Sequence, residues 1–305
     1  MRPDLRVIPA GSVTRFAPAP TGRLHLGHVA NAIYVWGLAR ATGGVVQLRI
    51  EDHDRQRSRP EHERALLEDL DWLGFRPDLA ATAGLRAGPS PFRQSDQDDV
   101  YRAALEALRS SGLVYACDCT RSTFAAWAAR HAGHWRGPGC PGGCRARGVA
   151  DVHGVALRVA LGEGSEQYAD LLAGAQTDEP SHDGDPAVRD RLGNWTYAFA
   201  VVVDDSRHGV DLVIRGRDLL HATGAQIRLA RLLGRATPPA FLHHSLIHKP
   251  GGAKLSKADN DTGINALREA GVSAAVAIGT AAAEVGLLDV ARPVPADAVG
   301  ELFEG

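Results

Sequence analysis

Two histidines and two lysines, each pair three residues apart, have the spacing in this chain most suggestive of chemistry. His25 and His28 flank Leu26-Gly27 where a helical pattern begins. At that spacing both rings face one side of a helix. A helix N-terminus favours negative charge, so two imidazoles there can donate to phosphate oxygens as charge builds in a transition state. Gly27 would leave room for a base or ribose to approach the backbone. Lys254-Leu-Ser-Lys257 follows 226 residues after His28, on a glycine-containing loop. Two lysines around a serine can clamp a triphosphate and stabilise departing pyrophosphate. Only three lysines occur in the chain, and two of them lie in this motif. The expected catalytic set is therefore His25, His28, Lys254 and Lys257, with Gly27 beside the nucleotide.

Four cysteines form the second cluster. Cys117-x-Cys119 and Cys140-x3-Cys144 lie 20 residues apart within a 305-residue chain. Two close pairs around a loop suit a structural Zn²⁺ held by four thiolates, with no open position for catalysis. The segment between them is rich in glycine and arginine, and metal would supply folding energy there. His131 and His134 are read as surface residues.

These groups need a scaffold. Val13 to Ala17 reads as a strand, APAPTG (17–22) as a loop, Gly27 to Ala41 as a helix and Val45 to Ile50 as a strand. That order is a βαβ unit of a parallel sheet. Pro60 suits the first turn of a helix through Trp72. Ser95 with Asp98 resembles a capping box opening a helix through Arg109. After the cysteine segment the pattern resumes near Tyr197: a strand over Val210 to Ile214, a helix over Arg217 to Leu233 and a strand over Phe241 to Ile247. Two helices, near 262–270 and 273–286, follow. The expected fold is α/β: a Rossmann-like sheet split by a zinc-binding insertion. The expected divisions are 1–112, an insertion over 113–195, 196–258, and a short helical stub over 259–305.

Bulk composition excludes other classes. Hydrophobic residues make up 44% and charged residues 23%, ordinary globular values that argue against disorder. No apolar run reaches the length of a membrane span, and the N-terminus lacks a signal-peptide core. A cytosolic protein is expected. The formal net charge of −2 does not indicate a strongly basic nucleic-acid binder, although a local basic face would suffice for an RNA partner.

The motifs together resemble a known family. HLGH and KLSKA look like the two signatures of class I aminoacyl-tRNA synthetases. RFAPAPTGRLHLGH (15–28), LRIEDHD (48–54), YAFAVVVDD (197–205) and IRGRDLL (214–220) are similar to the glutamyl-tRNA synthetase branch. The second signature departs from the pattern at Ala258, where the family has Ser. The resemblance implies that Lys257 contacts ATP, that Mg²⁺ accompanies ATP, and that the four cysteines match a zinc-binding insertion.

A glutamate substrate needs a cation for its side-chain carboxylate and an acceptor for its ammonium. Arg15 and Arg215 end strands, where α/β folds place ligands, and offer planar forks for a carboxylate. Glu51 ends another strand and suits the ammonium; Tyr197 supplies a hydroxyl. The resemblance maps glutamate contacts to Arg15, Ala17, Ala19, Glu51, Tyr197 and Arg215, with Phe16 and Pro18 in the same run. Ala19 is a departure, since many relatives carry Ser. Asp218 is a candidate for contact with the ribose or with the second strand-end loop.

Full members of the branch continue into anticodon-gripping domains, whereas 47 residues follow Ala258 here. The expectation is a short paralogue, monomeric and without an anticodon-binding domain. Resemblance to such a short paralogue implies activation of L-glutamate with ATP independently of tRNA and its transfer to the queuosine base of tRNA(Asp). The alternatives are a truncated synthetase charging a tRNA 3′ end, a different adenylyltransferase, and a non-catalytic zinc-containing RNA-binding paralogue.

Overall fold

The computed structural model describes residues 2–131, 137–247 and 263–304. The strand β1 (Val13–Phe16) leads through the loop 17–24 into α1 (Leu26–Thr42), which returns to β2 (Val45–Leu48). Helix α1 is capped at both ends: His25 stands at the N-cap, and Gly43 adopts the left-handed conformation at the C-terminus, φ 67°. Ten consecutive or near-consecutive residues from Val29 to Ala39 are buried, so this helix runs through the core rather than over it.

Next come α2 (Pro60–Leu73), α3 (Thr82–Ala87), α4 (Asp98–Ser110) and β3 (Val114–Cys117). Pro60 takes the first helical turn of α2 as expected, where its missing N–H is no loss. The expected capping box at Ser95 does not form. Gln97 is the N-cap of α4 and has no side-chain cap bond; Ser95 lies in a 3₁₀ turn and its backbone N–H goes to Asp52 (2.8 Å).

The helices α5 (Arg121–Arg130) and α6 (Gly143–Arg147) carry the cysteine region. The strands β4 (Ala156–Val159), β5 (Glu166–Asp170), β6 (Gly174–Asp178) and β7 (Ala187–Arg189) follow. Then come α7 (Tyr197–Arg207), β8 (Leu212–Gly216), α8 (Thr223–Leu232), β9 (Ala240–His244), α9 (Ile264–Glu269) and α10 (Ala274–Glu284). The helix read over 217–233 is thus a 3₁₀ turn, Arg217–Ala222, continued by α8.

The main sheet has the order β2-β1-β8-β9-β5-β6. Its first five strands pair in parallel and β6 closes the edge antiparallel. A separate antiparallel sheet has the order β3-β4-β7. Residues 113–195, read as one insertion, therefore divide between two sheets: the β5–β6 hairpin extends the main sheet, while β3, β4 and β7 build the small one.

The C-terminal region is integral to the first core. Ile264, Ile278, Ala281, Ala282, Val299, Leu302 and Phe303 join the cluster that contains Val29, Ile33 and Leu48. Two glycines allow this packing. A Cβ on Gly37 of α1 would lie 2.3 Å from the Phe303 ring, and one on Gly279 of α10 would lie 1.7 Å from the Arg292 carbonyl oxygen.

Chain connection runs from β1 to β2 on one side, and β8 lies on the other side of β1. The crevice at the carboxyl ends of β1 and β8 is thus a topological switch point, where open parallel sheets bind ligands.

Candidate active site

A cavity of about 380 Å³ opens at that switch point. Its lining includes Arg15, Phe16, Ala17, Pro18, Ala19, His25, Gly27, His28, Glu51, Tyr197, Arg215 and Asp218. The structure thus gathers the expected glutamate and histidine residues around one space. Lys254, Lys257 and Ala258 lie outside the described residues, as does His134.

The histidine motif is built into the start of α1. The His25 Nδ1 accepts the Gly27 N–H (3.1 Å), and the His28 Nδ1 accepts the His25 N–H (3.1 Å). Each ring therefore uses Nδ1 as an acceptor and, when neutral, carries its proton on Nε2. The two rings stand 4.0 Å apart by centroid. Gly27 has a reason beyond the one expected: a Cβ there would come within 2.9 Å of the His25 ring that caps the helix.

Behind the cavity-lining Arg15 and Glu51 lies a buried ion network. The Arg49 guanidinium, fully buried, donates to Glu51 (2.8 Å) and Asp205 (2.6 Å) and lies 3.9 Å from Asp204. Arg15 Nε donates to the same Asp205 (3.1 Å), and Arg207 pairs with Asp204 (2.9 Å). Three arginines thus balance three carboxylates, as buried charges require. Burial pulls the Arg49 pKa down, but Asp205, Glu51 and Asp204 outweigh it and the group is held above its ordinary value. Burial pushes the Asp205 carboxyl up, and Arg15 and Arg49 overcome that, leaving it below the usual carboxylate range.

Only one Glu51 oxygen is engaged by Arg49. Among the described residues the other makes no hydrogen bond, and it can receive an ammonium group. Tyr197 opens α7, so it enters the cavity from a helix start; burial raises its pKa.

Arg215 differs from Arg15. It is 5% exposed and forms no ion pair among the described residues. Its Nε donates to His243 Nε2 (2.9 Å), Nη1 to Gln226 (2.6 Å), and Nη2 to Thr223 (2.7 Å) and to the Leu219 carbonyl (3.4 Å). All four acceptors are uncharged when His243 is neutral, and burial lowers the His243 pKa against the pull of Asp170. Such a buried fork is suited to an anionic ligand.

Beside this pocket stands His244, buried, with its ring stacked on Tyr34 (4.9 Å) and its Nε2 within 3.1 Å of Asn31 Nδ2. Burial lowers its pKa to about 4, so it is a neutral wall.

The four cysteine sulfurs lie within 4.8 Å of one another. Cys144 Sγ is 3.3 Å from Cys119 Sγ and 3.5 Å from Cys117 Sγ. Tetrahedral coordination with metal–sulfur bonds of about 2.3 Å spaces sulfurs by roughly 3.8 Å, so the set can hold a metal ion. A hydrogen bond with Cys117 brings the Cys140 thiol down to about 4, and the same contact pushes the Cys117 thiol up. Neighbouring thiols sharing a proton in this way are the donor chemistry a cation would replace. His131 is not among them; it stacks on Trp127.

Arg49, Asp204, Asp205, Asp170 and His243 were not singled out from the sequence. Arg49 interrupts the apolar run VVQLRI, and Asp204-Asp205 end the run VVV; charges inside buried-strand or buried-helix patterns were the available signal.

Residues 12–281 match the family of class I tRNA synthetases (E and Q), catalytic domain. The chain belongs to that family. Such enzymes are ligases. The chain is 41% identical over 300 residues to the glutamyl-Q tRNA(Asp) synthetase of Symbiobacterium thermophilum, covering 95% of this chain and 91% of that protein. It is 35% identical to the glutamate–tRNA ligase of Thermosynechococcus vestitus, covering 95% of this chain but 59% of the relative. Among solved structures, a glutamate–tRNA ligase from Elizabethkingia meningosepticum in complex with its amino acid matches at TM-score 0.67 and 30% identity, over 82% of this chain and 53% of that one. The glutamate–tRNA synthetase of Elizabethkingia anophelis matches at TM-score 0.74 and 26% identity, over 96% of this chain and 65% of that one. The chain thus spans between half and two thirds of those structures. No helix among the described residues is long and apolar enough to cross a membrane.

Proposed function

We propose that this synthetase activates L-glutamate with ATP, without needing tRNA, and transfers it to the queuosine base of tRNA(Asp). The observation that carries the first step is the cavity that joins a buried Arg215, without an ion pair among the described residues, to the half-engaged carboxylate of Glu51 and the imidazoles of His25 and His28. Arg215 and Arg15 take the side-chain carboxylate, and Glu51 and Tyr197 take the ammonium. The run 16–19 lines the substrate, with Ala19 leaving one side-chain hydrogen bond to water or backbone. Asp218 faces the ribose.

The glutamate α-carboxylate oxygen then bonds to the α-phosphorus of ATP, and the bond to pyrophosphate breaks. Positioning and charge stabilisation do this work without a covalent enzyme intermediate. The Nε2–H groups of His25 and His28 donate to phosphate oxygens, and Lys254 and Lys257 hold the leaving pyrophosphate. Mg²⁺ supplies further charge neutralisation when bound with ATP. In the second step a cyclopentenediol hydroxyl attacks the glutamyl carbonyl and AMP leaves. The 41% likeness to a protein named glutamyl-Q tRNA(Asp) synthetase supports this acceptor over a tRNA 3′ end. Glutamate-dependent ATP–pyrophosphate exchange in the absence of RNA tests the first step: exchange with glutamate alone is expected, and exchange that requires tRNA contradicts it. Lys257→Ala should abolish most of that exchange in a folded protein, and near-normal exchange would remove the lysine from the site.

For the cysteine cluster we propose one structural Zn²⁺ per chain, held by Cys117, Cys119, Cys140 and Cys144. Metal analysis of protein purified without chelator should return one equivalent; a value well below one contradicts it.

A further inference from the structure

Three adjacent parallel strands each place one polar side chain in a buried row. Arg215 on β8 and His243 on β9 are cross-strand partners, and Asp170 ends β5 on the far side of β9. All three are at most 5% exposed. Asp170 Oδ1 accepts the backbone N–H groups of Leu172 (3.0 Å) and Ala173 (2.7 Å), and its Oδ2 lies 2.6 Å from His243 Nδ1. On the other side of the ring, His243 Nε2 lies 2.9 Å from Arg215 Nε. Arginine can only donate, so His243 Nε2 must be an acceptor and its proton must sit on Nδ1, facing Asp170.

We infer that Asp170 and His243 are positioning residues for Arg215: the carboxylate fixes the Nδ1–H tautomer of His243, and that tautomer fixes the guanidinium which takes the substrate's carboxylate. This rests on the proposed glutamate site. The logic is that of an orienting carboxylate behind an imidazole, with an arginine where a nucleophile or metal would otherwise stand. The row also keeps the buried cation from being wholly uncompensated, because the Asp170 charge lies one ring away from it. Neither residue lines the cavity; both act through Arg215.

The row makes a specific prediction for an isosteric change. In Asp170→Asn the amide oxygen must stay on the Leu172 and Ala173 N–H groups, since an NH₂ there would face two donors. The amide nitrogen then faces His243 Nδ1 and forces that atom to accept. The imidazole proton moves to Nε2, opposite the Arg215 Nε–H. Two donors now face each other; the Nε2–H can turn only to Thr223 Oγ1 (3.2 Å), which already accepts from Arg215 Nη2 (2.7 Å), so Arg215 loses its Nε contact and its Thr223 contact is contested.

The test uses the full chain. Steady-state ATP–pyrophosphate exchange should show the glutamate KM of Asp170→Asn raised about 10- to 100-fold, as orienting partners behind a ligand group typically cost, with the ATP KM within about twofold. The ¹⁵N spectrum of histidine-labelled protein should show His243 change from the Nδ1–H to the Nε2–H form. An unchanged glutamate KM in a folded variant overturns the proposal, and so does an unchanged tautomer. Should Asp170→Asn fail to fold, a second pair decides. His243→Gln can present an oxygen near the Nε2 position and should keep the glutamate KM close to the parent's, whereas His243→Leu should raise it. Equal KM values for the two overturn the proposal. The tautomer measurement needs no substrate. Absence of glutamate-dependent exchange in the parent therefore overturns the proposed function and leaves the hydrogen-bond row to be judged by its spectrum.

Discussion

Arg215→Ala is expected to eliminate most glutamate use while leaving the fold and the ATP site in place. The guanidinium is buried at the end of β8 and is held by His243, Gln226, Thr223 and the Leu219 carbonyl. None of these carries the charge that a substrate carboxylate needs. Removing one partner of a buried, hydrogen-bonded charge pair costs about 2–5 kcal/mol, which corresponds to a drop of roughly 30-fold to several thousand-fold in kcat/KM for glutamate. The four acceptors left behind are neutral and can take water, so stability should fall far less than activity. His25 and His28 stand on α1 and keep their capping bonds; the ATP KM should therefore stay near the parent value. Exchange assays across a glutamate titration read this, and a change below about threefold would place the amino-acid carboxylate elsewhere.

Arg49→Met should act in the opposite way, on stability first. Arg49 is fully buried and joins Glu51, Asp204 and Asp205. Methionine fills comparable volume but leaves those carboxylates short of one cation. Breaking a buried pair by removing one partner costs about 3–5 kcal/mol. Asp204 keeps Arg207, Tyr101 and Gln94, and Asp205 keeps Arg15; Glu51 loses its only ion-pair partner among the described residues. The acid dependence should change as well. Asp205 has a folded pKa below its unfolded one, so its share of stability is present above the unfolded value of about 3.9 and is lost as pH falls through the lower folded value. Without Arg49 that folded value rises, and the loss of stability on acidification should shrink. Denaturant midpoints for parent and variant at neutral pH and near pH 3 check both parts. Equal midpoints at neutral pH would show that the network does not hold the fold.

The residues legible in the sequence were those whose chemistry is local. His25-x-x-His28 announces itself by spacing, and the four cysteines by clustering; the structure brings each set together. Arg15, Glu51 and Arg215 could be placed because strand ends in a parallel sheet converge at one edge. Tyr197 reaches the same edge from the start of α7, because YAFAVVV has an apolar run suited to a buried helix. The residues not legible were those whose role depends on long-range pairing. Asp170 meets His243 across 73 positions, and Arg49 meets Asp205 across 156. No local pattern marks such partners; the strand order β8-β9-β5 does. The same holds for the segment after Gly263. Its Ala-rich helix α10 says little about what it packs on, yet Gly37 and Gly279 are shaped for that contact. Ser95 failed as a cap because Asp52 offered its backbone N–H a carboxylate from another segment.

The proposed glutamyl transfer is to a modified anticodon base. Its most direct measurement is acylation with labelled glutamate of queuosine-containing tRNA(Asp), unmodified tRNA(Asp) and tRNA(Glu) in parallel. Label on the queuosine-containing tRNA(Asp) alone is the result predicted. Label on the 3′ end of tRNA(Glu), with none on the modified tRNA(Asp), would contradict it.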